Sequence, residues 1–90
     1  MSLAWELRFT ELALKQLKKL DKQVANQITR ILEEKIAKSG DPRAFGKALT
    51  GDLKGFWRYR IGNYRVICEL KDQELIILAL AIGHRREIYR

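Results

Sequence analysis

A two-residue turn signal, Gly62-Asn63, lies between two runs rich in aromatic and β-branched residues, 56–61 and 64–70. Such a turn joins two antiparallel strands in a fixed register, so each residue of one strand has a defined partner on the other. Because side chains alternate across a sheet, the hairpin must have two chemically different faces. One face is apolar and is predicted to pack on the core: Trp57, Tyr59, Ile61, Tyr64, Val66, Cys68 and Leu70.

The opposite face of the hairpin is predicted to lie towards solvent and to carry Arg58, Arg60, Arg65 and Ile67. The register sets Arg60 directly against Arg65, and opposed like charges destabilise a strand pair by up to about 1 kcal/mol. Three interpretations are open: an acidic side chain (Glu69, Asp52 or Glu87) folds over the arginines, the face is simply solvated, or it binds a phosphate or phosphodiester. Because no acid adjoins the arginines along either strand, phosphate binding is favoured.

Two helices are predicted before this hairpin. Thr10 and Asp21 are residue types that cap helix N-termini, and apolar residues at helical spacing follow each of them. Gly40 is predicted to end the second helix, and Asp41-Pro42 prevents the helix from restarting. The two segments are therefore expected to form a helical hairpin.

Three segments outside these elements differ in how apolar and polar residues alternate along them. Residues 4–9 alternate apolar and charged side chains, which is strand spacing. Residues 74–82 form a nearly continuous apolar run, typical of a strand buried on both faces, although the periodicity alone also allows a buried helix. Residues 39–55 hold four glycines and the only proline and are predicted to be a loop. Residues 1–90 are thus predicted to form a single α+β domain. Its small sheet, an N-terminal strand plus a C-terminal three-stranded antiparallel meander, packs on the helical hairpin.

The amino-acid composition limits the kinds of partner that this chain is expected to bind. A net charge of +7 on 90 residues favours attraction to polyanions such as nucleic acid. No apolar run approaches the ~20 residues of a membrane span, so no membrane partner is expected. Cys68 is the only cysteine, which rules out an internal disulfide and favours a reducing, cytoplasmic location. No cluster of metal-ligand residues or phosphate-binding glycine pattern is present, so neither a metal nor a cofactor is predicted.

The C-terminal segment GHRREIYR, residues 83–90, adds further candidate site residues. His84 is either a solvated surface side chain or a general base, since histidine titrates near neutral pH. Tyr89 either packs over the end of the sheet or stacks on an RNA base. Four further cations are predicted to bind phosphates. They are Lys54 of the predicted loop 39–55 and Arg85, Arg86 and Arg90 of this C-terminal segment.

Two segments, GFWRYRIGNYRVI and GHRREIYR, together with the order of the predicted elements, resemble the RelE/ParE toxin superfamily and most closely its RelE branch. The resemblance implies the toxin of a type II toxin–antitoxin system. It further implies an endoribonuclease that cuts messenger RNA in the A site of a translating ribosome, in contact with the 30S subunit and its 16S rRNA. The expected inhibitor is a RelB-like antitoxin whose acidic segment covers the basic surface.

The resemblance also implies catalytic roles for the residues at the family's basic and aromatic positions: Arg58, Arg60, Arg65, Arg85 and Tyr89. The best-known members have lysines where this chain has Arg58 and Arg60, and arginine cannot lose its proton. These two arginines are therefore expected to stabilise charge, and His84 becomes the better candidate for the base. The implied nucleophile is the 2′-hydroxyl of the RNA itself, which attacks the adjacent phosphodiester.

Two alternative functions stay open on the sequence. The ParE branch implies the same fold in a toxin that poisons DNA gyrase and is not a nuclease, in which Arg58, His84 and Tyr89 would be dispensable. A non-catalytic RNA- or ribosome-binding module would use its arginines only to hold phosphates. It would bind RNA in a salt-sensitive manner without cleaving it.

Overall fold

The computed structural model describes residues 3–84. Within them a five-stranded mixed sheet has the order β1-β5-β4-β3-β2. The strands are β1 (Glu6–Phe9), β2 (Lys47–Ala48), β3 (Trp57–Ile61), β4 (Tyr64–Lys71) and β5 (Ile76–His84), and the helices are α1 (Glu11–Lys18) and α2 (Lys22–Arg30). β1 runs parallel to β5, and all other neighbours are antiparallel. The predicted α+β class is confirmed, but the short strand β2 was missed.

Both predicted helix caps are present. The Thr10 hydroxyl accepts a hydrogen bond from the Ala13 backbone N–H at 3.1 Å, and the Asp21 carboxylate accepts one from the Gln23 N–H at 3.1 Å. Each cap satisfies a backbone donor that the first turn of a helix leaves without an intrahelical partner. The side chains of Thr10 and Asp21, which the sequence identifies as caps, therefore fix where α1 and α2 begin.

The second helix does not stay α-helical to its end. It continues from α2 as a π-helical segment, Ile31–Ala37, with a hydrogen bond from the Lys38 N–H to the Glu33 carbonyl at 3.1 Å. In this wider turn, residues four and five apart lie on the same side. Ile36 and Ala37 are therefore both buried, and the Ala37 carbonyl accepts the Trp5 N–H at 2.8 Å at the start of the sheet.

The core lies between the helical layer and one face of the sheet. The buried side chains from both layers are Ala13, Ile28, Leu32, Ile36, Ala37, Tyr59, Ile61, Val66, Cys68, Ile77, Ala79 and Ile82. All members of the predicted core face of the hairpin belong to this core or pack against it. Burial raises the pKa of the Cys68 thiol, so it stays protonated and is not a nucleophile.

β5 differs from its prediction in its burial and its register. Ile77, Ala79 and Ile82 are buried on the helical side, but Ile76 and Leu78 on the opposite side are only half-buried, so the expectation of burial on both faces is wrong. The register against β4 shifts between Ile67 and Cys68, which pair with Ala81 and Ala79 and leave Leu80 as the extra residue. The shift is a β-bulge, and it determines which side chains of β5 after Leu80 face the helices.

Part of the predicted loop 39–55 is ordered and packs against β3; we call residues 42–48 the strap. The Tyr59 hydroxyl donates to the Pro42 carbonyl at 2.7 Å, and the Trp57 indole N–H donates to the Phe45 carbonyl at 2.6 Å. Arg43 makes two hydrogen bonds, at 2.6 and 3.0 Å, to the Asp72 carboxylate in the turn between β4 and β5. These contacts position Lys47 and Ala48 at the edge of the sheet, where they form β2.

Gly46 lies directly against β3 and leaves no room for a side chain. Its φ is +68°, and a Cβ at this position would lie 2.8 Å from both the Trp57 indole nitrogen and the Tyr59 ring and would clash with the Arg58 carbonyl. Gly51 has nearly the same φ, +65°, but open space around it. The two glycines therefore share the backbone constraint and differ only in steric room.

We predict that Gly46→Ala lowers the free energy of unfolding by about 2–5 kcal/mol, the sum of left-handed backbone strain and overpacking. Gly51→Ala carries the strain alone and is expected to lose only about 1–2 kcal/mol. Urea unfolding of both variants measures the difference. Equal losses would contradict the close packing of the strap on β3.

Candidate nucleic-acid interface

The face of the sheet that points away from the helices carries two pairs of opposed cations. In the observed register Arg60 pairs with Arg65, and Lys47 of β2 pairs with Arg58. Directly opposed residues of an antiparallel pair project from the same face. We call these four residues the basic face. The hairpin register that sequence reasoning predicted is confirmed at every pair from Trp57–Cys68 to Ile61–Tyr64.

Arg65 and Ile67 are exceptions to the solvent-facing prediction, because each is only 5% exposed. The Arg65 Nη1 donates a long hydrogen bond of 3.4 Å to the Tyr64 carbonyl, so Arg65 folds back over β4. Its neighbour on β5 is Gly83, which has no side chain to hold the arginine away from the sheet. The sequence gives the face of Arg65 correctly, but alternation alone does not report how deeply a long side chain lies on that face.

The guanidinium of Arg65 is incompletely satisfied by the described residues. Its Nε is buried and has no hydrogen-bond partner among residues 3–84. Burying a charged donor without a partner costs more than any single hydrogen bond returns. An anion placed against this nitrogen would offset that cost, so the arrangement favours binding of a phosphate group.

Acidic side chains do not neutralise the Arg60–Arg65 pair within the part of the chain that the structure describes. Ion pairs within residues 3–84 include Arg8–Glu6 and Arg43–Asp72, and neither involves the basic face. Glu69 and Asp52, two of the acids that sequence reasoning considered, form no ion pair with Arg60 or Arg65, and Glu87 lies outside the described residues. Arg60 is exposed and Arg58 is half-buried, so the cations are presented at different depths.

His84 is not brought to the basic face. It pairs with Tyr64 in the β4–β5 register and therefore projects towards the helical layer. Its ring lies edge to face with that of Tyr64, at 5.6 Å between centroids, beside a depression that Gln16 and Lys19 of the α1 region also line. The bulge at Leu80 contributes to this outcome, since an extra residue in β5 shifts every later side chain to the other face.

The remaining predicted site residues divide into two groups. Lys54 is exposed in the connection between β2 and β3, at the opposite end of β3 from Arg60, so the structure does not bring it into the Arg60–Arg65 row. Arg85, Arg86, Tyr89 and Arg90 lie outside the described residues.

Sequence reasoning missed Lys47 as a member of the basic face. Its placement depends on β2, whose pairing with β3 continues as a hydrogen bond from the Leu49 N–H to the Phe56 carbonyl at 3.1 Å. Gly51 and Gly55, both with positive φ, close the intervening turn. Two glycines between the short segment at 47–49 and β3 are the available signal for this hairpin, and the loop interpretation passed over it.

Among residues 3–84, no helix is long and apolar enough to cross a membrane. The same residues contain no group of three or more His, Cys, Asp or Glu side chains placed to hold a metal ion.

Comparison with known proteins places the chain in a family. Residues 7–89 match the family described as the ParE toxin of type II toxin–antitoxin systems, parDE. The chain belongs to this toxin family. Toxin RelG of Mycobacterium tuberculosis is 28% identical over 86 residues, which cover 96% of this chain and 97% of that protein. The predicted resemblance to the RelE/ParE superfamily is thus confirmed.

Solved structures agree with this toxin fold. The toxin–antitoxin complex RelBE2 from M. tuberculosis matches with a TM-score of 0.86 at 24% identity, over 97% of this chain and 98% of that one. A double mutant of E. coli toxin RelE in the free state matches with a TM-score of 0.75 at 24% identity, over 97% and 88% of the two chains. At these identities the likeness establishes the fold, and the site must be argued from this toxin's own residues.

The burial of Arg65 leads to a stability prediction. Arg65→Met replaces a buried cation with an unbranched apolar side chain and removes the repulsion from Arg60, so we expect the toxin to gain about 1–4 kcal/mol in unfolding free energy. Arg60→Met, on the exposed partner, is the matched control and is expected to change stability by less than about 1 kcal/mol. Thermal and urea unfolding measure both. A loss of stability in Arg65→Met would mean that Arg65 already has a structural counter-ion.

Proposed function

We propose that this toxin is an endoribonuclease that cleaves messenger RNA in the ribosomal A site. The observation that carries the proposal is the Arg60–Arg65 pair: two guanidiniums directly opposed on one sheet face, one of them buried with a donor that no residue of 3–84 satisfies. A structural sheet face gains nothing from this arrangement. A site for a phosphodiester gains a preorganised pair of donors.

The proposed reaction is attack by the 2′-hydroxyl oxygen on the adjacent phosphorus. The new O–P bond forms as the bond from phosphorus to the 5′ oxygen breaks, which leaves a 2′,3′-cyclic phosphate and a 5′-hydroxyl. A base removes the proton from the 2′-hydroxyl, and the departing oxygen receives a proton. Arg60 and Arg65 stabilise the extra negative charge that the phosphate oxygens carry in the five-coordinate transition state, because arginine stays protonated throughout.

The basic face by itself offers no good proton acceptor. Its four members are one lysine and three arginines, and His84 projects from the other side of the sheet. The proposal therefore assigns no role to His84 at the scissile phosphate, and it keeps Arg85 and Tyr89 as the catalytic candidates that the family resemblance implied. Alignment of the RNA by the ribosome supplies several kcal/mol to a site whose basic face has no neutral-pH base. Cleavage of free RNA should accordingly be slow.

The proposal includes a RelB-like antitoxin as partner and the cytoplasm as location. Toxins with this fold are known in complex with RelB antitoxins from M. tuberculosis and E. coli. An acidic segment lying over Arg60 and Arg65 would pair the cations and exclude RNA at the same time. The same cations thus serve catalysis in the free toxin and recognition in the complex.

A second candidate function is inhibition of DNA gyrase, because the matching family is described by its ParE members. That function predicts intact messenger RNA and gyrase-linked DNA breaks when the toxin is induced alone. The endoribonuclease proposal predicts arrested translation and new messenger 5′ ends. Mapping 5′ ends together with DNA breaks after induction separates the two functions.

We predict that Arg60→Gln slows cleavage of a ribosome-bound message about 100-fold or more, since it removes one charge-stabilising donor. The melting temperature should not fall, because Arg60 is exposed and its loss also removes its repulsion from Arg65. Arg30→Gln is the matched control, as Arg30 is an exposed arginine at the end of α2 in the helical layer, and it should cleave at the wild-type rate. Single-turnover assays on programmed ribosomes give the rates.

A message with one 2′-deoxy nucleotide at the cut site tests the nucleophile. The wild-type toxin should leave that message intact. Normal cutting of the deoxy message would exclude attack by the 2′-hydroxyl, and normal activity of Arg60→Gln would exclude the Arg60–Arg65 pair from the reaction. RNA binding without any cleavage would leave only a non-catalytic binding module.

A further inference from the structure

A depression of about 240 Å³ lies at the outer edge of the basic face, lined by Gly46, Lys47, Arg58 and Arg60. Lys47 and Arg58 are opposed across β2 and β3, so the like-charged pairing of Arg60 and Arg65 is repeated one row along the sheet. Two adjacent rows of like charge on one face form a positive surface that attracts anions.

Lys47 is held in this position by its surroundings. The residue before it, Gly46, packs directly on β3 in a conformation that excludes a side chain, and the Phe45 carbonyl accepts the Trp57 indole N–H at 2.6 Å. The backbone of Lys47 is thus anchored beside Arg58, while its side chain is exposed. Among residues 3–84, the Lys47 ammonium forms no ion pair.

We propose that Lys47 and Arg58 form a second anion subsite, which binds a neighbouring phosphate of the same single-stranded RNA. The inference rests on the proposed function in one respect, that the scissile phosphate lies against Arg60 and Arg65. Arg58 and Arg60 are two residues apart on β3, so the two rows are separated by about 7 Å along the strand. A chain of regularly spaced phosphates can therefore occupy both rows at once.

Lys47 is a positioning residue in this arrangement. It holds the RNA one phosphate away from the reacting bond, so it contributes equally to substrate and transition-state binding and should affect KM rather than kcat. Its contribution should also depend on salt, because each neutralised phosphate releases counter-ions.

The test measures binding of the free toxin to a short single-stranded RNA that carries 2′-O-methyl groups and so cannot be cleaved. Lys47→Gln is expected to reduce the slope of log K against log salt by about 0.7, the value for one phosphate contact on a single strand. Lys22→Gln is the matched control, since Lys22 is an exposed lysine at the start of α2 in the helical layer, and its slope should equal that of the wild type. An unchanged slope in Lys47→Gln, or no RNA binding by the wild type, overturns the subsite.

A kinetic readout separates this inference from the proposed function. On programmed ribosomes Lys47→Gln should raise KM about tenfold, the loss of one charged hydrogen bond, with kcat unchanged. A loss in kcat at unchanged KM would place Lys47 at the reacting phosphate and overturn the positioning role. If the slope changes in free RNA binding but the wild type cleaves no message, the subsite stands and the nuclease proposal fails.

Discussion

The opposition of Arg60 and Arg65 is the constraint on which the rest of this toxin's functional surface depends. A two-residue turn fixes the register of β3 and β4, and the register sets two guanidiniums side by side on the face away from the helices. Arg65 is 5% exposed, and its Nε has no partner within residues 3–84. The fold therefore carries an electrostatic cost at one place, and an anion bound there would offset it.

The strap between the helices and β3 extends this surface by one row. Hydrogen bonds from Tyr59 and Trp57 to strap carbonyls, and the close packing of Gly46, bring Lys47 beside Arg58. The Tyr59 hydroxyl remains a donor because burial raises its pKa. Residues of the hairpin's core face thus organise the strap, and the strap supplies a cation to the opposite face. Core packing and the candidate RNA surface are linked through β3.

The sequence predicts the parts that depend on local chemistry. The turn at Gly62-Asn63 determines the hairpin register, and the side chains of Thr10 and Asp21 cap the two helices as expected. How deeply a side chain is buried, and which distant segments pair in the sheet, are harder to predict, because both depend on neighbours distant in the chain. The burial of Arg65 depends on Gly83 of β5, the orientation of His84 follows a bulge at Leu80, and the placement of Lys47 needs a strand of two residues. No periodicity within a short window contains that information.

The central claim is that the buried Arg65 guanidinium is an anion site, and its Nε–H resonance reports on this directly. In ¹⁵N-labelled toxin, titration with a 2′-O-methyl RNA oligonucleotide should shift the Arg65 Nε–H signal and slow its exchange with solvent, at the same RNA concentration that shifts Arg60. Arg30 should not respond. An Arg65 Nε–H signal that is already protected in the free toxin and does not move on saturation with RNA would contradict the claim.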